Sequence, residues 1–388
     1  MTTPPVLALV GGGRWARIYL SVLAAMPLPF RLVVVSHHGA DRVAGTKDAA
    51  GDLVTVVPDL DALLSSTRPA GAILANAAMA HGPSALRLLE AGVPVLVEKP
   101  AAVSPQQAAA MVRAAERSGA ALMPALTYLH CAYLETFAKV LHTAAPRPAT
   151  ALALDWADSA DEARYGERKD YDRGIGLALD VMPHVWAILA SVLGRSGFAL
   201  ESCLSERGGR RVAVRLRAGS TACEVRIERE APARRRAIRF GDGPAIDFTA
   251  EPGTIHSAAG EISGDPSWST RSDRPVRRQV EAFLRGLSAP PAAEALADLE
   301  ASVRLAHDCD AMVKEQQRRL LANTAAADGL DADAECALRE LLAPALVQLG
   351  RLQAGDDKSL QEHVRRVREG AERAPAGNWL QALSRAAA

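Results

Sequence analysis

Three short stretches of this chain combine residue types and spacings that can do chemistry. In Val10-Gly11-Gly12-Gly13-Arg14-Trp15-Ala16, the residues Gly11, Gly13 and Ala16 fit the pattern G-x-G-x-x-G/A. The first glycine allows a tight turn, the second lets backbone approach a pyrophosphate, and the small third residue lets a helix pack closely on a strand. In Glu98-Lys99-Pro100 a lysine directly follows an apolar run. Ligands of open α/β sheets sit beyond the carboxyl ends of the strands, so Lys99 is placed to reach a nicotinamide and to hydrogen-bond a reacting oxygen or nitrogen. Asp180 and His184 are four residues apart, which puts them on one face of a helix. Hydride transfer to a carbonyl leaves an alkoxide that needs a proton, and an imidazole can deliver one near neutral pH. Asp180 then orients that ring or contacts the substrate directly. Each feature also has a plainer reading: a structural glycine turn, a surface lysine, a buried histidine. No metal site is expected, because Asp180 and His184 lack a convincing set of further ligands.

These residues need elements to position them. Apolar runs at Val6–Val10, Arg31–Ser36, Gly71–Asn76, Pro94–Glu98 and Ala121–Leu126 read as strands. Helical stretches fall between them at Arg14–Met26, Asp59–Ser66, Pro83–Ala91 and Ser104–Ser118. Continuous apolar strands alternating with amphipathic helices imply a parallel sheet covered on both faces. Lys99 thus ends the fourth expected strand.

After residue 150 the pattern changes. Thr150–Trp156 reads as a strand and Gly176–Leu193 as a helix. Pro183 leaves two alternatives there: the helix starts later, or it is distorted at the proline. From about 200 to 250, Val212, Val214 and Leu216 alternate with arginines, and Cys223, Val225 and Ile227 alternate with Glu and Arg. This is an antiparallel meander with one apolar and one charged face. Arg234-Arg235-Arg236 reads as an edge-strand charge guard or, less readily, a phosphate patch. Pro275–Leu287 and Ala293–Leu321 return to helix, and Asn323–Gly329 reads as a linker. In the tail, Asp331–Ala354 carries a Leu338, Leu341, Leu342, Leu346, Leu349, Leu352 stripe with a bend expected at Pro344. Ser359–Glu369 follows, ending at Gly370 as a C′ glycine. The expected fold is α/β: a Rossmann dinucleotide-binding domain (1–126), an α+β substrate and oligomerisation domain with a largely antiparallel open sheet (127–322), and a helical extension (323–388). The last helices of the second domain are expected to be able to pack back on the first.

Composition narrows the function classes. Hydrophobic residues make up 49% and charged residues 23%, which is globular rather than disordered. Lys+Arg and Asp+Glu both number 45, so the basic excess of a general nucleic-acid binder is missing. No apolar run approaches the ~18 residues of a membrane span. The start, Met1-Thr2-Thr3-Pro4-Pro5, lacks a charged leader region. A cytoplasmic protein with no nucleic-acid or membrane partner is expected. The five cysteines, Cys131, Cys203, Cys223, Cys309 and Cys336, contain no C-x-x-C pair, so neither a zinc site nor a disulfide framework is supported.

The end of the second strand bears on cofactor choice. An NAD site usually has Asp or Glu there for the ribose 2′-OH. Here the chain reads Val35-Ser36-His37-His38, with no acid before Asp41. Ser36 can donate to a 2′-phosphate, His37 or His38 adds charge when protonated, and Arg14 or Arg42 supplies a permanent one. NADP is favoured, with NAD as the alternative.

Four segments in order are similar to the glucose–fructose oxidoreductase / inositol dehydrogenase (Gfo/Idh/MocA) family. They are Gly11-Gly12-Gly13-Arg14-Trp15, then Asn76-Ala77-Ala78-Met79-Ala80-His81, which matches the family's T-P-N-x-x-H only at His81, then Glu98-Lys99-Pro100 preceded by Leu89-Glu90-Ala91-Gly92, and Gly174-Ile175-Gly176 through Asp180 to His184, fitting G-x-G-x-x-x-D-x-x-x-H. The resemblance covers roughly residues 5–320. It implies cofactor contacts from Gly11, Gly13, Arg14, Trp15, Ala16, Ser36, His37, Asn76, His81, Glu98 and Lys99, catalysis by Lys99, Asp180 and His184, and a cis bond before Pro100. His81 near a nicotinamide has a helix-capping role as its alternative. Thr127-Tyr128-Leu129-His130 stands where the family has a substrate-bordering N-x-R-F, a departure that speaks against an ordinary sugar substrate. Tyr128, His130, Tyr165 and Tyr171 are candidate substrate-lining groups.

The expected activity is hydride transfer between NAD(P) and a small polar carbonyl or alcohol. An imine reductase of specialised metabolism and a non-catalytic dinucleotide-binding subunit or sensor are the alternatives. Closed two-fold symmetry is the commonest outcome for a soluble oligomer, and the resemblance implies that the charged sheet face often meets a twin subunit. A homodimer or larger homo-oligomer is therefore expected. The leucine stripe of the tail is too wide to face water and docks on its own Rossmann domain or on a neighbour.

Overall fold

The structure is a computed structural model of the 388-residue chain. It describes residues 4–27, 29–37, 40–43, 45–47, 51–144, 151–164, 167–168, 171–195, 197–264, 274–324, 329–352, 357–373 and 378–387. Tyr165 and His38 lie outside the described residues. The chain divides into two compact units, Met1–Leu134 with Asp265–Arg304, and Glu135–Gly264 with Leu305–Ala388.

The first unit alternates β1 (Val6–Val10), α1 (Arg14–Ala24), β2 (Arg31–Val35), α2 (Ala40–Val43), β3 (Thr55–Val57), α3 (Leu60–Ser66), β4 (Gly71–Leu74), α4 (Ala78–Glu90), β5 (Val95–Val97), α5 (Pro105–Ser118) and β6 (Leu122–Pro124). The six strands form one parallel sheet in the order β3-β2-β1-β4-β5-β6. Alternate residues of each strand feed two different cores. Ala8, Val10, Val33 and Val35 pack with α4 and α5 through Leu88, Leu89, Met111 and Ala115. Leu7, Leu9, Leu32 and Val34 pack with Ala16, Tyr19 and Leu23 of α1. Both faces are thus covered, which is why the strands read as unbroken apolar runs. β3 was not among the expected strands. It has three residues, all partly or fully exposed, although Leu53-Val54-Thr55-Val56-Val57 is largely apolar, and the strand before Glu98 is the fifth rather than the fourth.

The second unit opens with α6 (Ala132–Ala144), which starts in the first, and β7 (Ala151–Ser159), then the small hairpin β8 (Ala163–Arg164) and β9 (Glu167–Arg168), and α7 (Leu177–Leu193). Next come β10 (Phe198–Glu206), β11 (Arg211–Ala218), β12 (Thr221–Ala231), β13 (Arg235–Phe240), β14 (Ala245–Asp247), β15 (Thr254–Ser257) and β16 (Gly260–Ser263). Its large sheet runs β10-β11-β12-β7-β13-β14-β15-β16 and is antiparallel except for β12 against β7. The inward and outward alternation on β11 and β12 follows the expected meander. Helix α7 runs through Pro183 and does not start after it. Nearly all of α7 is buried, and Asp180, His184 and Ser191 are its hydrophilic interruptions.

Two helices follow, α8 (Pro275–Arg285) and α9 (Ala293–Asn323). Val276, Val280 and Phe283 of α8 join the α1 core, and Leu296, Leu299 and Val303 of α9 join the α4–α5 core. The tail folds as α10 (Ala332–Gln348), α11 (Asp357–Arg373) and α12 (Trp379–Ala387). Leu338, Leu341, Leu342, Leu346 and Leu352 close on Leu360, Val364, Val367 and Trp379, with Leu321 from α9. Of the expected stripe, Leu349 alone stays out, 49% exposed. The tail docks on its own second unit: Gly208, at φ +63° in the turn Arg207–Gly209, lies so close to α10 that a Cβ there would fall 2.2 Å from the Asp333 carbonyl oxygen. Gly370 is not a C′ residue. It lies inside α11, packed toward Ala382 of α12. No helix among the described residues is long and apolar enough to cross a membrane.

Candidate active site

The glycine turn joins β1 to α1. Gly11 has φ +127°, and a Cβ there would sit 2.5 Å from the Ala75 carbonyl oxygen and 2.9 Å from the Asn76 nitrogen. Its role is therefore to let β1 and the end of β4 pass closely. Gly13 differs. It is the N-cap of α1 in extended backbone, and a Cβ on it would meet nothing within 4 Å. The first backbone N–H groups of a helix lack intrahelical partners, and Gly13 brings no side chain to cap them. That open, donor-rich helix start fits a pyrophosphate. Ala16 is buried in the α1 core as the close-packing third position. Arg14 and Trp15 are half-buried on the first turn, with Trp15 centred 6.4 Å from the Tyr19 ring. Ser36 is buried just after β2, its N–H donating to Val57 O at 2.9 Å, and His37 is exposed beside it.

The turn after β5 is held from below. The Lys99–Pro100 peptide is cis. Glu98 is buried and accepts from the Tyr19 hydroxyl at 2.6 Å and from its neighbour's N–H, that of Lys99, at 3.1 Å. Gln279 Nε2 donates to the Tyr19 hydroxyl at 3.1 Å, and Thr127 Oγ1 donates to Gln279 Oε1 at 3.0 Å. Burial pushes the Glu98 carboxyl up, against the pull of the Tyr19 hydrogen bond and Lys99. Burial and then Glu98 push the Tyr19 phenol well above its ordinary value. Glu98 is thus the inner anchor of the turn, and half-buried Lys99 is its outer residue. His81 is 2% exposed within α4, with Nδ1 2.9 Å from Pro100 O and Nε2 3.1 Å from Asn76 O. A neutral ring donates to one carbonyl at a time. His81 therefore ties the end of β4 to the Lys99–Pro100 turn and does not cap the helix through its N-cap position. Asn76 Nδ2 donates to Ser84 Oγ at 3.0 Å, while its Oδ1 is buried with no hydrogen-bond donor among the described residues.

Tyr128 is buried and His130 half-buried in the 3-10 turn Thr127–His130, whose Thr127 joins the Glu98 network. That network was not foreseen. Tyr19 sits on the apolar stripe of α1 and reads as core, and Gln279 gives no signal in a helix 260 residues away.

In the second unit Asp180 lies in the first turn of α7, where its Oδ2 accepts from Arg229 Nη2 at 3.0 Å. Arg229, at the end of β12, also faces Glu340 of α10 at 3.9 Å and lies over the Tyr171 ring at 4.8 Å. Burial works against the Arg229 charge, but Asp180 and Glu340 outweigh it and its pKa is raised. Arg229, Glu340 and Tyr171 border a cavity of about 60 Å³ that also meets Arg173, Arg210 and Arg339. Arg210 pairs with Glu230 at 3.1 Å and Arg339 with Glu335 at 3.0 Å. Tyr171 therefore belongs to an ion-paired seam between the sheet and the tail. His184, one turn beyond Asp180, stacks on Trp156 of β7 with ring centroids 5.1 Å apart.

Arg236 is neither an edge guard nor a phosphate ligand. β13 is an interior strand, and Arg236 is 1% exposed and paired with buried Asp158. Arg235 pairs with Asp155 at 3.2 Å and Arg234 faces Glu162 and Glu251. All five cysteines are buried free thiols. Among the described residues no group of three or more His, Cys, Asp or Glu is placed to hold a metal ion.

Residues 6–126 match the family model described as "Oxidoreductase family, NAD-binding Rossmann fold", that of Gfo/Idh/MocA. No curated protein matches the sequence. Solved structures do share the fold. A Gfo/Idh/MocA family oxidoreductase from Vibrio cholerae superposes with TM-score 0.63 at 18% identity, over 80% of this chain and 99% of that one. KijD10, a 3-ketoreductase from Actinomadura kijaniata in complex with TDP-benzene and NADP, gives 0.64 at 19%, over 79% and 96%. GenD2 from gentamicin A biosynthesis, in complex with NAD, gives 0.63 at 17%, over 81% and 96%. The glycine turn therefore lies in a segment, residues 6–126, that matches the NAD-binding Rossmann domain of Gfo/Idh/MocA oxidoreductases, and the chain shares the two-sheet fold of these solved structures, with a helical tail at its C-terminal end.

Proposed function

We propose that the protein is an NAD(P)-dependent oxidoreductase acting on a small polar carbonyl or alcohol, with NADP favoured. The observation that carries the reading is the open helix start at Gly13. It is a built anion cradle beside a sheet whose next-but-one strand end presents Lys99. When bound, the nicotinamide supplies or accepts the hydride. The α1 N–H groups would hold the pyrophosphate, with Arg14 and Trp15 on the same first turn. Ser36 and His37 would take the ribose end, where the missing carboxylate suits a 2′-phosphate. Asn76 and His81 are the residues that would border the nicotinamide end, and Asn76 Oδ1, a buried acceptor with no donor among the described residues, is the group that a carboxamide N–H would satisfy. Glu98 holds the turn without reaching outward.

Lys99 is the first unit's candidate to hydrogen-bond a reacting oxygen, and His184 is the second unit's candidate to move a proton. Asp180, held by Arg229, lies one turn from that imidazole. Tyr128 and His130 are the nearest substrate-lining candidates of the first unit. The charged face of the second sheet is proposed to meet a second copy. Calorimetric titration with NADPH and NADH tests the cofactor assignment: one site per chain, tighter for NADPH, is expected, and binding of neither removes the basis of the reading.

A further inference from the structure

His184 belongs to a larger buried assembly. Trp156 projects from β7 and stacks on the His184 ring with an interplanar angle of 17°. Its indole N–H donates to Asp158 Oδ2 at 3.4 Å. The other Asp158 oxygen is ion-paired with Arg236, which stands directly opposite Trp156 in the β7–β13 register. The Arg236 guanidinium carbon lies 3.5 Å from the centre of the Trp156 ring. Asp158 is 0% and Arg236 1% exposed.

A fully buried ion pair is weak evidence for stability, because apolar residues of similar volume often serve as well. What this pair does is fix an indole. The cation lies against the ring, the carboxylate takes its N–H, and Arg236 Nη1 is itself held by the Arg235 carbonyl at 2.8 Å. An indole held at both its ring and its nitrogen is a rigid plate.

We propose that Trp156, clamped by Asp158 and Arg236, is a positioning residue that sets the plane of the His184 imidazole. A ring passes its proton along an N–H bond in its own plane, so fixing that plane fixes the direction from which substrate oxygen is served. The proposal rests on the assignment of His184 as the proton-transfer group.

The stack has a signature that needs no substrate. A protonated imidazole in contact with an indole quenches its fluorescence far more than a neutral one. Emission of the full-length protein is measured across about pH 5 to 8, the range in which imidazoles titrate. The wild type is expected to lose emission on the acid side, and His184→Gln and Trp156→Phe each to abolish that step. Superimposable curves for wild type and His184→Gln, together with a His184 ring signal unchanged in Trp156→Leu, overturn the stack. Ring resonances of ¹³C-labelled histidine give a second reading: the His184 signal should carry an indole ring-current shift that is lost in Trp156→Leu and largely replaced in Trp156→Phe, and an unchanged signal in Trp156→Leu overturns the proposal. With a turnover assay in hand, Trp156→Leu should lower kcat about 10-fold with little change in KM, and Trp156→Phe should recover most of it. His184→Gln with undiminished hydride transfer would defeat the role of His184, and this proposal with it, while the wild type still shows the His184–Trp156 ring-current shift, so the two failures are distinguishable.

Discussion

Placing an aspartate at Gly13 separates a glycine kept for the fold from one kept for a ligand. Gly13 has φ −80° and ψ −170°, a conformation open to any residue, and its Cβ direction is empty to 4 Å. Aspartate is among the best N-caps and improves on glycine by only a few tenths of a kcal/mol. Its charge at a helix N-terminus adds about 0.3–1 kcal/mol. Gly13→Asp should therefore be slightly more stable than wild type in urea. The same carboxylate would occupy the donors meant for a pyrophosphate and repel its charge. At about 4 Å, one unit charge against another costs ~1 kcal/mol in bulk water and ~4 kcal/mol near a protein surface. Taking about 2–4 kcal/mol, NADPH affinity should fall roughly 30- to 700-fold. Gly11→Ala should do the reverse kind of damage: a Cβ 2.5 Å from the Ala75 oxygen at φ +127° costs stability by more than about 2 kcal/mol. Urea titration and calorimetry on the same preparations read both quantities. A Gly13→Asp protein that is destabilised, or that binds NADPH as the wild type does, refutes the reasoning.

Ser36→Asp should turn an NADPH preference into an NADH preference, because the new carboxylate accepts from a 2′-OH and repels a 2′-phosphate; equal wild-type affinities for the two cofactors, read by calorimetry, would remove the basis of this expectation. Lys99→Met and His184→Ala should each lower turnover by about 10²-fold or more, with NADPH affinity changed much less for His184→Ala, as measured by steady-state kinetics and binding; near-normal rates in both defeat the assignment. Burial raises the Glu98 pKa, so between the ordinary carboxyl value and that raised value the folded chain holds a proton the unfolded chain has lost, and wild-type stability falls as pH rises through the window. Glu98→Gln lacks that slope and should gain on the wild type from acid to neutral pH in urea melts; a constant difference contradicts the buried-carboxyl account. Light scattering should find at least a dimer, and a strictly monomeric protein would refute the proposed pairing through the charged sheet face.

The first unit was legible because burial on both sheet faces writes long apolar runs, as in Leu7–Val10 and Leu32–Val35, and because Gly11 and Gly13 answer local backbone demands. β3 was not, since Thr55–Val57 is short and partly exposed. The charged site residues were harder. Arg234, Arg235 and Arg236 look alike in sequence, yet only Arg236 is sealed inside, a difference set by Asp158, 78 residues away. Asp180 and His184 were visible from their four-residue spacing, but what holds them was not: Arg229 and Glu340 come from a strand end and the tail, and Trp156 from β7. Gly370 looked like a helix stop and instead gives α11 room against Ala382. Local rules were readable, whereas pairings across long sequence separation were not.

The most direct test of the central claim follows the hydride itself. The protein is incubated with NADPH deuterated at the nicotinamide C4 and a panel of small polar aldehydes, ketones and imines, and products are read by mass spectrometry. Transfer of one deuterium to the reduced carbon of a product, lost in Lys99→Met and His184→Ala, is the predicted result. An NADPH-saturated protein that passes no deuterium to any of them, or one that passes it equally well without Lys99 and His184, would contradict the account.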